Sequence, residues 1–408
     1  MLNPYFLVTF LYIALAVLGA LDASLISFDF LPTFAGLRWV RVHFITLGAL
    51  TELAFGILPI VVTARAKLPR PKVRWDIWLT LNLGLLILLI GIPMVNGALI
   101  TAGGTLIFVA ATLLMVQLWK LRSRRVDGDP QAGRKFYIMG LAYLLLGIIV
   151  GTGLWQGWGV PLQIKVPLEV HIHANNWGFM SMVFAGLLID LYPSFTGRSL
   201  AWPHSTTRIF WMMTLGALGL VLGPWFQSNL FSVPGLILHL SATIWLLLNV
   251  IKPLIGDHKL RTPGILHLIT SYVWILAPVL VAPLIILGVP GFPGAGIEQN
   301  APQALIYGWV LQFGYGIIPL LFRRAFLPDS VPTLGGNWFS LAAVHLGGIF
   351  LWAGIFLHDS QAMLHGIAYG LWFISMLPIA YELWQIVRSG IDSLPDQQAI
   401  STGIEAGD

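Results

Sequence analysis

Ten histidines punctuate this 408-residue chain, and no cysteine accompanies them. Imidazole can bind a metal, carry a proton or donate a hydrogen bond, while the lack of thiols excludes disulfides, iron–sulfur clusters and CxxCH haem attachment. Three histidines open apolar stretches: His43 begins HFITLGALTELAFGILP, and His171 and His173 begin HIHANNWGFMSMVFAGLLI. His239 and His365 lie early in two further apolar stretches, whereas His204, His258 and His358 fall in connections. His267 and His345 sit within other apolar runs. An imidazole inside a membrane must be paired, hydrated or coordinated, so the first five are candidate ligands. Residues two apart on a helix point about 200° apart. His171 and His173 are therefore expected to face different neighbours rather than chelate one ion.

The elements that must position these side chains are membrane helices. The chain is 57% hydrophobic and 10% charged, with a mean hydropathy of +0.83, which excludes a set of soluble domains. Apolar runs of spanning length fall at roughly 6–27, 41–63, 76–96, 100–120, 136–156, 170–193, 206–223, 234–254, 264–288, 303–322, 338–357 and 363–387. The expected fold is all-α, a single polytopic membrane domain of 12 transmembrane helices over residues 1–408. Nineteen of the 22 basic residues lie in the even-numbered connections and at the C-terminal end, including Arg122, Arg124 and Arg125. Only Arg38, Arg41 and Lys165 fall on the other side. This bias predicts cytoplasmic termini, a short cytoplasmic tail at 396–408 and residence in a lipid bilayer, with the prokaryotic cytoplasmic membrane as the expected location. It also accounts for the net charge of +5 without a nucleic-acid partner. The N-terminal stretch lacks a basic n-region and is read as a retained first span.

The segments from His43, His173 and Gln303 align without gaps at successive offsets of 130 residues. Gly48, Gly178 and Gly308 coincide, as do Gly56, Gly186 and Gly316. Three pseudo-symmetric four-helix repeats are expected, at approximately 1–130, 131–260 and 261–395. Repeated membrane bundles commonly bind ligands where repeats meet, and glycine permits close approach of helices or of a flat cofactor.

Given the predicted orientation, His43, His171, His173, His239 and His365 share one layer near the outer face. Neutral imidazoles from separate helices, with small residues beneath them, suit haem held edge-on; a copper or zinc ion is the alternative. The 17 Trp and 23 Phe could line such a pocket, although interfacial belts account for most of them. The few acidic residues within the spans include Asp22, Glu52 and Asp190. Glu52 lies nine residues, about 13.5 Å, below His43 and is a candidate for a proton path. Asp190, followed by Arg198, reads as an interfacial charge.

Twelve spans in three groups of four, with histidines opening the second and sixth, resemble subunit I of the haem–copper oxidase superfamily. The run from His171 through WGF and AGLLIDLYPSFTGR to Arg198 is most similar to the NnrS branch. The resemblance implies b-type haem, redox chemistry and, in some members, copper. It places His43 at the second-span haem ligand and His171 or His173 at the sixth-span metal ligand, with His239 or His365 as further axial candidates. The chain departs from an oxygen-reducing centre at Gln303-Ala304-Leu305, where the tenth span would carry histidines, and in its seventh span, which has none. The leading expectation is a haem-bearing redox protein in electron transfer or nitric oxide handling, served by an electron-donor protein or a membrane redox subunit. A nitric oxide or oxygen reductase with a non-standard haem or metal centre is the alternative within oxidoreductase chemistry. A haem-free transporter built on the repeats is the alternative from another class.

Overall fold

A computed structural model describes residues 3–33, 36–121, 132–327, 330, 331 and 333–393. The tail at 396–408 and Arg122, Arg124 and Arg125 lie outside the described residues. Among the described residues there is no strand, as expected where lipid cannot satisfy an open sheet edge. The helices are α1 Pro4–Ser27, α2 Leu37–Arg65, α3 Trp75–Gly91, α4 Gly97–Lys120, α5 Ala132–Gln156 and α6 Pro167–Thr196. They continue as α7 Pro203–Phe226, α8 Asn229–Leu254, α9 Pro263–Ile285, α10 Gly294–Phe326, α11 Trp338–Phe356 and α12 His358–Asp392. Eleven of these are long and apolar enough to cross a membrane. The segment expected as the third span is the exception: α3 has 17 residues and ends at Gly91, short of the expected 96, because the chain turns at Pro93.

Local chemistry explains the helix starts. The side chains of Asn3, Asn96 and Thr262 accept hydrogen bonds from the first-turn amides of Tyr5, Leu99 and Ile265. Asn337 and Ser340 form a reciprocal cap on α11. Pro167, Pro203 and Pro263 occupy first-turn positions, where a missing N–H costs no helical bond.

The chain separates into two compact units. One comprises α1, the stretch Phe44–Ala49 and the chain from Arg261 onward; the other holds the start of α2 and Leu50–Leu260. One boundary between the units falls before Arg261. The first span joins the chain that follows it: Ser24 on α1 donates to the Gly366 carbonyl of α12 at 2.8 Å, and Phe6 meets Phe322 edge to face.

Three helices widen into π-helical turns at Phe44–Leu50, Ala174–Met180 and Ala304–Leu311. Their starts at 44, 174 and 304 repeat the offset of 130 seen in the sequence. Each contains one of the aligned glycines, and each glycine is seated on an aromatic ring. A Cβ added to Gly48 would lie 2.5 Å from Tyr12 Cδ1, one on Gly178 2.3 Å from Tyr143 Cγ, and one on Gly308 2.5 Å from Trp274 Cγ. The three rings come from α1, α5 and α9 and are themselves 131 residues apart.

Asp190 corrects an expectation. It is buried and faces Arg65 at 3.8 Å rather than Arg198, and it accepts from the Gly133 amide at 3.1 Å and the Tyr137 hydroxyl at 3.0 Å. Arg198 instead pairs with Asp257. The carboxylate of Asp190 thus ties α5, α6 and the end of α2 together within one unit.

Candidate functional site

His43 closes the first segment of α2 and His171 lies in the first turns of α6, each just ahead of a π-helical turn. Their ring centroids are 6.5 Å apart, with ring planes inclined by 24°. Each ring is oriented by a backbone carbonyl that can only accept. His43 Nδ1 donates to Trp39 O at 2.7 Å and His171 Nδ1 to Gly147 O at 2.8 Å. These bonds select the tautomer with the proton on Nδ1 and leave the Nε2 lone pair available. Neither Nε2 has a hydrogen-bond partner among the described residues. Both rings remain partly accessible.

The room for His171 is made by glycine. A Cβ on Gly151 would stand 2.6 Å from His171 Cε1, and one on Gly147 would stand 2.5 Å from Asn175 Nδ2. Asn175 donates back to the His171 carbonyl at 2.9 Å, one turn earlier on the helix. On the other ring, the Trp39 indole stacks on His43 with centroids 4.2 Å apart and planes 18° from parallel.

His171 and His173 do face different neighbours. His173 Nδ1 donates to Leu220 O of α7 at 2.6 Å. That carbonyl is four residues before Pro224, whose ring nitrogen cannot supply the usual helical donor. The imidazole occupies the acceptor that proline leaves open, and its Nε2 also lacks a hydrogen-bond partner among the described residues.

His239 does not share the layer of His171 and His173. Its Nε2 lies 3.1 Å from the Trp177 carbonyl and 3.2 Å from Ser181 Oγ, and its Nδ1 lies 3.4 Å from Thr243 Oγ1. These partners on α6 lie four to eight residues beyond His173, about 6–12 Å deeper. Nε2 is used between α8 and α6 and Nδ1 within α8 itself, because His239 stands ten residues into α8 and not at its start. His365 belongs to the other unit, where its buried Nε2 lacks a hydrogen-bond partner among the described residues and its ring lies against Gly354. Glu52 is fully buried beside the Asn82 side chain.

No group of three His, Asp or Glu side chains able to hold a metal ion occurs among the described residues. A bare copper or zinc ion between His43 and His171 would therefore lack the further ligands such ions ordinarily take. A planar tetradentate group needs only axial ligands from the protein. The donor set of His43 and His171 fits haem better than it fits an isolated ion.

Trp39, Gly147, Gly151 and Asn175 carry no chemical motif in the sequence that marks them as site residues. Gly147 and Gly151 do carry a signal, since glycines four apart on an apolar helix mark a close approach. Trp39 was legible only as one of many aromatics near an interface. Compared with known proteins, the chain matches no family model, and no match to a curated protein reaches significance.

Proposed function

We propose that this is a haem-binding membrane redox protein, built of twelve spans in three four-helix repeats with cytoplasmic termini, and related to the haem–copper oxidase superfamily. The observation that carries the proposal is the pair His43 and His171: two imidazoles from different helices, nearly parallel at 6.5 Å, each donating Nδ1–H to a carbonyl with Nε2 unpartnered. The π-helical turns at a constant offset, each with a glycine on an aromatic ring, support the threefold repeat. In this arrangement α3 is the twelfth span, brought to bilayer length by its flanking turns.

Haem, when bound, would supply one-electron exchange. His43 and His171 would hold it through Nε2, and the carbonyls of Trp39 and Gly147 orient both rings and raise their basicity. Gly151 keeps the His171 ring from being displaced. Trp39 covers one face of His43 and shields it from solvent. His173, on the opposite face of α6, stays bonded to α7 and is a separate site.

The test is a spectrum. The purified protein should show a Soret band and a reduced-minus-oxidised difference typical of two-histidine haem, unchanged by carbon monoxide. A carbon monoxide shift would transfer the assignment to a reductase with an open coordination position. A colourless, fully folded preparation grown with ample haem would leave the transporter as the better description.

A further inference from the structure

The unit containing α9 to α12 holds a second set of polar side chains that the haem pair does not use. His345 on α11, Thr270 on α9 and Gln312 on α10 meet at one point. His345 Nε2 lies 2.8 Å from Thr270 Oγ1 and 2.9 Å from Gln312 Nε2, and Gln312 Nε2 lies 2.9 Å from Thr270 Oγ1. One turn away, His267 Nε2 lies 2.9 Å from Ser340 Oγ. Gln312 and His267 are fully buried.

Donors and acceptors at this point do not balance. Thr270 Oγ1 donates to Leu266 O at 2.7 Å, the Gln312 amide directs its N–H groups at His345 and Thr270, and its buried carbonyl Oε1 has no hydrogen-bond partner among the described residues. His267 Nδ1 is likewise buried without a partner, whichever tautomer it adopts with Ser340. A buried amide carbonyl and a buried ring nitrogen without partners are costly in a membrane span. Water supplies the missing partner where the site is polar enough to hold it. The seam leads from His267 toward a charged pair. Gly336, whose added Cβ would stand 2.4 Å from His267 Cδ2, donates its amide to Glu382 Oε2 at 3.3 Å, and Glu382 Oε1 accepts from Arg323 at 2.6 Å. Both charged side chains are partly exposed.

We infer that α9, α10 and α11 enclose a hydrated proton-uptake site that opens at the Arg323–Glu382 end. His345 takes up the proton there, and Gln312 turns its amide to receive it. With His345 neutral, its Nε2 lone pair accepts from the Gln312 amide. Starting from the Nδ1–H tautomer, uptake of a proton at Nε2 gives the imidazolium, whose Nε2–H becomes a donor; a turned amide presents Oε1 to it, and the amide N–H groups turn to the water that served the carbonyl. The proton comes from water and returns to water, so no other reactant is needed. The titratable and charged groups on the surrounding elements are His267 and Tyr272 of α9, Glu298, Tyr307, Tyr315, Arg323 and Arg324 of α10, and His358, Asp359, His365, Tyr369, Tyr381, Glu382, Arg388 and Asp392 of α12. The site is independent of haem binding.

The chain has no cysteine, so single cysteines can be introduced into the full-length protein without background. Thr270→Cys, Ser340→Cys and, as a dry reference, the fully buried Ala185→Cys would be reacted with a small cationic thiosulfonate in reconstituted vesicles. The first two are expected to react at least tenfold faster than the reference. The pH profile of the Thr270→Cys rate is expected to move in the His345→Gln background, because the thiolate would lose a titrating neighbour. Elution as a monodisperse, helical protein shows that each variant folds. Folded variants that react no faster than Ala185→Cys would show a dry hydrogen-bonded clamp and overturn the inference. An unchanged pH profile in His345→Gln would overturn the assignment of the proton to that residue.

Discussion

An imidazole in a membrane span becomes a metal ligand or a helix fastener according to what each ring nitrogen meets. His43 and His171 spend Nδ1 on a carbonyl and keep Nε2 open, whereas His239 is engaged at both nitrogens. His43→Ala and His171→Ala should each abolish Soret absorbance per mole of folded protein, while His239→Ala and His258→Ala should retain it. Full absorbance in either of the first two variants would remove the ligand assignment. Gly151→Ala should also lose or redden the band, since its methyl would stand 2.6 Å from the His171 ring. These distinctions were partly legible beforehand. The five histidines could be read as intramembrane candidates, but His239 was assigned to the same layer as the others. Its depth depends on how far α8 slides along α6, and hydropathy does not encode that.

At the level of helices, the recurring device is a π-helical turn whose glycine rests on an aromatic ring of another helix. π-helical turns occur mostly as local features at functional sites, and here the wider turn follows His43 and His173 directly. Gly178→Ala should destabilise the protein by about 1–3 kcal/mol through overpacking against Tyr143, read as a lower thermal midpoint in detergent. Recovery of the midpoint in Gly178→Ala/Tyr143→Leu would tie the loss to that contact; a midpoint unaffected by Gly178→Ala would show that the contact relaxes freely. Asp190→Ala would leave the Gly133 amide and Tyr137 hydroxyl without their acceptor. At about 1–3 kcal/mol for each of the two buried groups, the loss should be about 2–6 kcal/mol. Arg65 is partly exposed and contributes little to it. A change within experimental error would mean that water replaces the carboxylate.

For the whole molecule, charge predicts sidedness. Lysine and arginine accumulate in alternate connections, which the positive-inside tendency assigns to the cytoplasm. In the cysteine-free background, Lys165→Cys should be labelled by an impermeant maleimide in intact cells, and Lys259→Cys only after lysis. The reverse pattern would invert the proposed orientation and move the His43–His171 pair to the cytoplasmic face.

The amino-acid sequence alone determined that this chain is helical and belongs in a bilayer, because long apolar runs must satisfy their backbone internally in lipid. It also carried the offset of 130 residues and the identity of the histidines that begin α2 and α6. Only the tertiary structure decided which imidazoles meet, that Asp190 answers Arg65 and not Arg198, and that α1 packs with α12. It also brought His345, Thr270 and Gln312 together from three helices. Contacts of this kind depend on the rotation and axial shift of each helix against its neighbours. Lipid-facing hydropathy leaves both free, and close packing of side chains settles them.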